Sequence, residues 1–114
     1  MLVDIGEKVH VIERRLFDTD VRRHFFGEVE RVEAGAIRVR GYVFTYDSAL
    51  SQYVRSEGER TRILPLGVSG FIINVAPPET KADAVHYALS DQGRLVVTDG
   101  QQFSLDINEF GRMR

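Results

Sequence analysis

The segment RHFFGEVERVEAGAIRVRGYVFTY, residues 23–46, carries the clearest structural signal in the chain. β-Branched and aromatic residues alternate in it with charged ones, a pattern typical of a half-buried β-strand. In its middle, Glu33-Ala34-Gly35 forms a three-residue loop whose glycine can adopt the left-handed conformation of a bulged turn. We therefore predict an antiparallel hairpin centred on this loop.

The loop also predicts the register of the hairpin. Opposite charges meet twice across the two strands, and a slip by one residue would separate them. This consistency indicates that the arginines pair with acidic side chains on a solvated face. The predicted cross-strand pairs are Val32–Ala36, Glu30–Arg38, Glu28–Arg40 and Phe26–Tyr42.

The remaining chain repeats short β-like runs bounded by Gly, Pro, Asp and Ser. We predict an all-β, mainly antiparallel fold, a small single-domain β-barrel over residues 1–114. One or two short helical turns interrupt it, one capped by Thr80 and one with Asp106 and Glu109 at capping-box spacing. Further strands are predicted at residues 8–17, 51–55, 60–66, 70–76, 85–90, 94–98 and 102–105.

Composition excludes several functional classes. Hydrophobic residues make up 43% and charged residues 28% of the 114 residues, as in globular proteins. Without cysteine, there can be no thiol catalysis, iron–sulfur cluster or cysteine-bound zinc. Phosphate-loop, GxSxG and GxGxxG motifs are absent from the sequence. A net charge of −2, no signal-like start and no apolar stretch long enough to span a bilayer predict a cytoplasmic protein that does not bind membranes.

Arginines and aromatic residues concentrate around residues 22–46. Small β-barrels hold single-stranded nucleic acid with such residues, but residues 1–62 contain as many acidic as basic side chains and form no basic stripe. We therefore predict first a non-catalytic binding or interaction module, with a protein partner or a homodimer formed through an edge strand, and only third a nucleic-acid binder. The predicted contact surface is Arg22, Arg23, His24, Phe26 and Tyr42.

The three histidines do not form the close pairs typical of zinc sites. His10 alternates with Val9 and Val11, so we predict that it points outward from a strand. His24 has the more unusual neighbours, because two arginines and two phenylalanines surround it. The predicted binding module has no cofactor.

Three segments together resemble one known family. They are EKVHVIERRLFDTDVRRHFFGEV (residues 7–29), FIINVAPPE (residues 71–79) and GQQFSLDINEF (residues 100–110). Their order is similar to that of the FomD-like β-barrel phosphatases of nucleoside di- and triphosphates. The resemblance implies a barrel fold and hydrolysis of phosphoanhydrides with a divalent metal bound by carboxylates.

Carrying over the family's ligands gives the alternative function, a metal-dependent nucleoside phosphate phosphatase. The resemblance implies that Asp91, Asp106 and Glu109 would bind Mg²⁺ or Mn²⁺, and that Arg22 or Arg23 would hold phosphate. The chain departs from the family pattern at two places. Asp91 is the only aspartate where the family has several, and Asn108 replaces an expected Asp. Since fewer carboxylates hold a metal less tightly, the implied site is degenerate.

Overall fold

The computed structural model describes residues 2–67 and 70–107. Regular structure in these ranges is β, apart from one 3₁₀ turn at Ala82–Ala84. The prediction of an all-β, mainly antiparallel fold is confirmed. The strands are β1 (Lys8–Glu13), β2 (Arg23–Glu33), β3 (Ala36–Asp47), β4 (Gln52–Arg55), β5 (Arg60–Pro65), β6 (Phe71–Ala76), β7 (His86–Leu89), β8 (Leu95–Thr98) and β9 (Ser104–Asp106).

Two antiparallel sheets make up the fold. The large sheet has the order β4-β3-β2-β1-β6, and β5 pairs with the half of β3 that β4 leaves free. The small sheet has the order β7-β8-β9. Within the described ranges β6 pairs only with β1, and β5 only with β3. The large sheet is therefore not found to close into a barrel.

The β2–β3 hairpin has the predicted register over most of its length, including Glu28 opposite Arg40 and Phe26 opposite Tyr42. The tip differs from the prediction. Glu33 faces Ala36, so the loop has two residues, and a β-bulge between Val29 and Arg31 absorbs the extra residue. Because the bulge lies at Glu30, its carboxylate reaches both Arg38 and Arg40, at 3.3 and 3.4 Å.

Both faces of the central strands are buried. One face packs inside the curved large sheet, and the other is covered by the small sheet. The first core contains Val9, Val11, Phe25, Val29, Ile37, Val39, Val43 and Leu64. The second contains Phe26, Phe44, Tyr53, Ala76, Val85, Val97 and Phe103.

Strand β1 ends at Glu13, earlier than the predicted Phe17. The carboxylate of Asp20 accepts hydrogen bonds from the backbone N–H groups of Leu16 and Phe17, both at 3.1 Å. These bonds hold residues 16–20 as a loop, because an aspartate that binds nearby backbone donors competes with strand pairing.

Of the two predicted helical turns, the first lies within the described residues and is a single 3₁₀ turn. The 3₁₀ turn at Ala82–Ala84 has Lys81 at its N-cap position and no side-chain cap, so the prediction that Thr80 caps it is wrong. Asp106 ends β9, and Glu109 lies outside the described residues.

No helix in the described part of the chain is long and apolar enough to cross a membrane.

Candidate functional site

A cluster of four ring side chains lies between the two sheets: His10, His24, Tyr53 and Tyr87, called here the histidine–tyrosine cluster. His10 and His24 belong to β1 and β2 and point to the face that the small sheet covers. Tyr53 comes from β4 and Tyr87 from β7. The cluster therefore joins three strands of the large sheet to the first strand of the small one.

The hydroxyl of Tyr87 connects the two imidazoles. Its oxygen lies 2.9 Å from His10 Nε2 and 2.6 Å from His24 Nδ1. Since a phenol has one proton, it donates to one ring and accepts from the other. His10 Nδ1 has no partner among the described residues. The tautomers of the two imidazoles are therefore linked, because the ring that accepts the Tyr87 proton carries its own proton on its other nitrogen.

Ring packing holds the hydroxyl in place. Tyr53 and Tyr87 are stacked with centroids 4.3 Å apart and planes 20° from parallel. The ring of His24 lies 4.8 Å from Tyr53, and the rings of His10 and His24 meet edge to face at 5.1 Å. Such offset contacts add to the burial of the rings themselves.

Burial changes the acid–base properties of the cluster. Removal from water, and next the neighbouring His24, lower the pKa of His10 from 6.5 to about 3. Burial also raises the pKa of the Tyr87 phenol well above its usual value. Both groups are therefore neutral at physiological pH, and the hydrogen bond between His10 and Tyr87 joins two uncharged groups.

The prediction that His10 points outward is wrong, since its side chain is 0% exposed. The alternation around His10 in β1 is real, but both faces of β1 are covered. The covering of the second face by β7–β9 depends on residues more than seventy positions away, which a local pattern does not report. A histidine inside a strand that is otherwise apolar on both faces is the only signal the sequence offered.

A cavity of about 300 Å³, the aromatic cavity, opens beside the cluster. Arg55 lies at this cavity, but its guanidinium is already engaged: Nη1 donates to the carbonyl of Asp83 at 2.8 Å, and the group stands 4.5 Å above the ring of Tyr42. The wall therefore offers aromatic surface and no uncommitted cation. The lining residues are Phe44, Tyr53, Arg55, Asp83, Ala84, Val85, His86 and Tyr87.

A second cavity, the large cavity, has a volume of about 460 Å³ and lies where β5 and β6 fail to pair. Its apolar walls come from Val11, Phe25, Val43, Ile63, Leu64 and Phe71, and His24 also lines it. Three charged side chains also line it. Arg23 stands 3.7 Å from Glu13, while Arg62, on β5, has no ion-pair partner within the described ranges. The volume is in the range of small-molecule sites, and the lining combines apolar side chains with charged ones.

The predicted contact surface is divided by the structure. Phe26 is 0% exposed and His24 is 1% exposed, so both side chains are buried, and His24 also borders the large cavity. Arg22 is partly buried, Arg23 lines the large cavity, and Tyr42 lies under Arg55. A binding role for these three residues stays a prediction.

The predicted metal ligands are not shown together. Asp91 lies in the exposed turn after β7, and the carboxylate of Asp106 accepts a hydrogen bond from Arg94 Nε. Glu109 is outside the described residues. In residues 2–67 and 70–107, no group of three or more His, Asp or Glu side chains is arranged to hold a metal ion. A Mg²⁺ or Mn²⁺ site that includes Glu109 stays a prediction.

Comparison of the chain with protein-family models, with curated proteins and with solved structures gives no match. The functional argument therefore depends on the chemistry of the two cavities and of the histidine–tyrosine cluster.

Proposed function

We propose that this protein is a small binding module, built as a partly open β-barrel, that takes up an apolar molecule carrying one anionic group. The large cavity is the proposed site. The observation that carries the proposal is Arg62, a cation with no ion-pair partner in the described chain, placed at the rim of a cavity whose inner walls are partly apolar. Apolar walls favour the body of such a ligand, and a guanidinium favours its carboxylate, sulfonate or phosphate.

The charges around the cavity limit the ligand to one anionic group. Glu13 shares the rim with Arg23, 3.7 Å away, and would repel a second anion near that arginine. The six apolar wall residues offer a second anion no charged partner. A medium-chain carboxylic acid or an aromatic acid has the required chemistry.

The aromatic cavity supports this function less well. Its arginine is already bonded to the Asp83 carbonyl and stacked on Tyr42, and the Tyr87 hydroxyl is bonded to both histidines. A ligand there would have to replace existing contacts, which reduces the net gain on binding.

The experiment is a titration with 8-anilinonaphthalene-1-sulfonate, an apolar anion whose fluorescence rises in apolar sites, followed by displacement with decanoate. Arg62→Gln is expected to weaken binding about tenfold, since loss of one charged hydrogen bond costs ~1.5 kcal/mol. Arg60→Gln is the matched control, because Arg60 lies on the same strand and does not line the cavity.

Uncharged N-phenyl-1-naphthylamine separates the contribution of the charge from that of the apolar walls. We expect Arg62→Gln and the unsubstituted protein to bind it equally. The proposal would be refuted if Arg62→Gln and Arg60→Gln lost the same affinity for the anionic probe, or if decanoate did not displace the probe.

The phosphatase and the nucleic-acid binder stay alternative predictions without an observation of this kind in their favour. Asp106 is paired with Arg94, which competes with a metal ion for the carboxylate. Metal-dependent nucleotide hydrolysis that is lost in Asp106→Asn would support the first alternative. A steep fall of oligonucleotide affinity with salt would support the second.

A further inference from the structure

Strand β6 is an apolar edge strand that lacks the features which usually prevent an edge from pairing with another chain. Its sequence FIINVA contains no charged residue and no proline, and it pairs on one side only in the described structure. Ile72 is 49% exposed and Val75 is 52% exposed. Exposed edges of this kind pair with other strands unless a charge, a proline or a cover prevents it.

The other edges in the described ranges have such protection. Strand β5 carries Arg60, Arg62 and Pro65. Strand β4 has four residues and ends at Arg55, while β9 has only three and contains Asp106. The fourth edge, β7, has four residues and packs beside β4. Self-pairing of β5 would bring arginines of two copies together, whereas self-pairing of β6 brings no like charges together.

We propose that β6 pairs with β6 of a second copy of this chain, so that two large sheets join into one continuous antiparallel sheet. The occupant is a second copy because the edge is self-complementary: it is apolar, uncharged and long enough for several pairs. The interface borders the large cavity, because Phe71 of β6 also lines it, but the argument for the dimer does not depend on the proposed ligand.

Symmetry restricts the register. In an antiparallel pair, side chains directly opposite each other point to the same side of the sheet, whereas consecutive residues of one strand point to opposite sides. A two-fold axis between two copies must therefore place one residue opposite the same residue of the second copy. Centring on Ile73 pairs Phe71 with the partner's Val75 and Ile72 with the partner's Asn74. Centring on Asn74 would place Phe71 opposite the partner's Pro77, which has no backbone N–H to donate. Centring on Ile72 would pair only residues 71–73 of β6, whereas centring on Ile73 pairs residues 71–75, so the proposed axis passes through Ile73.

The chain has no cysteine, which allows a direct test of this register. In Ile73→Cys, the two thiols lie opposite each other at a separation that a disulfide bridges, so mild oxidation is expected to give a covalent dimer. In Val75→Cys, the thiol is more exposed but faces Phe71 of the second copy. It is therefore expected to cross-link slowly or not at all. Equal cross-linking of the two variants would overturn the register.

Sedimentation velocity over a range of concentrations tests the interface itself. The unsubstituted protein is expected to reach twice the chain mass of 13.0 kDa. Val75→Lys should remain monomeric, because a charge on each copy would be buried against an apolar strand. Ile63→Lys is the control, since Ile63 is an exposed residue of the β5 edge, and it should leave the dimer intact.

Circular dichroism confirms that each variant is folded before the masses are compared. A monomer at all concentrations, or a dimer that persists in Val75→Lys and disappears in Ile63→Lys, would overturn the proposal. Phe71 also lines the large cavity, so binding of the anionic probe is measured on every variant. Unchanged probe binding by monomeric Val75→Lys separates the two proposals.

Discussion

At the scale of single residues, Asp99 shows how a buried carboxylate can be structural. One of its oxygens accepts hydrogen bonds from the backbone N–H groups of Gln101, Gln102 and Phe103, at 2.8–2.9 Å. The other oxygen accepts a hydrogen bond from the backbone N–H of Lys81 at 3.0 Å. Burial by itself would raise the pKa of Asp99, but these four bonds lower it to about 2. The carboxylate closes the turn after β8 and connects it to the loop before the 3₁₀ turn.

Substituting Asp99 gives a signed pH prediction. The unfolded carboxyl binds a proton near pH 3.8 and the folded one near 2, so the stabilisation is present above pH 3.8 and is lost as the pH falls toward 2. Asp99→Asn is expected to lower the free energy of unfolding by about 2 kcal/mol at pH 7, measured by urea denaturation.

The difference in the free energy of unfolding between Asp99→Asn and the unsubstituted protein should become smaller below pH 4. Asp91→Asn, in the exposed turn after β7, is the control and is expected to change stability by less than about 0.5 kcal/mol. A gap that stays constant from pH 7 to pH 2 would contradict the assigned role of the charge.

At the scale of elements, the β2–β3 hairpin places two glycines, Gly27 and Gly41, directly opposite each other. A Cβ atom built on Gly41 would lie 1.9 Å from the carbonyl oxygen of Phe26. The strands approach so closely here that only glycine fits, and the close approach accompanies the curvature of the large sheet. Gly35, by contrast, is required by its positive φ of 78° at the hairpin tip and has open space around it.

The two glycines are therefore expected to respond differently to alanine. Gly35→Ala should cost about 1 kcal/mol, the strain of a left-handed backbone with a Cβ atom. Gly41→Ala should cost more than about 3 kcal/mol, because backbone atoms of a neighbouring strand would have to move. Thermal or urea unfolding measures both changes, and an equal cost at the two positions would contradict the close approach.

The strands themselves were largely predictable from the sequence, because alternation and turn residues are local. Asp47 accepts bonds from the N–H groups of Ala49 and Leu50 and starts the β3–β4 turn, as its residue type indicates. The error at the hairpin tip has a local cause too: the bulge at Glu30 compensates for the shorter loop, and both arrangements leave Phe26 opposite Tyr42.

At the scale of the whole molecule, the histidine–tyrosine cluster is a polar connection between two sheets that otherwise meet through apolar side chains. Its members lie on four strands, so no local pattern could bring them together. The large cavity was likewise not predictable, because it depends on β5 and β6 remaining unpaired. Arg23 was singled out from the sequence and does line that cavity, but Arg62 was not.

The cluster makes the association of the two sheets sensitive to acid. Between pH 6.5 and about 3, His10 binds a proton in the unfolded chain and not in the folded one. The free energy of unfolding is therefore expected to fall by about 2 kcal/mol between pH 7 and pH 5 because of this residue. In His10→Gln this difference should largely disappear, as followed by urea denaturation at the two pH values.

His86→Gln provides the control for the same titration. His86 is exposed, and its ring Nδ1 lies 2.9 Å from the carbonyl oxygen of Ala84. Its substitution should leave the difference between pH 7 and pH 5 unchanged. If His10→Gln keeps the full difference, another group is responsible for the acid sensitivity.

The β2–β3 hairpin, which is covered on both faces, is also expected to form early in folding. Its two strands are joined by a two-residue loop, so its pairs cost little chain entropy to close. Strands β6 and β7 must then return from distant parts of the sequence, β6 to pair with β1 and β7 to cover the second face of the large sheet. We expect the hairpin to be formed in the rate-limiting step, so that substitutions on it slow folding, while substitutions on β7–β9 mainly accelerate unfolding.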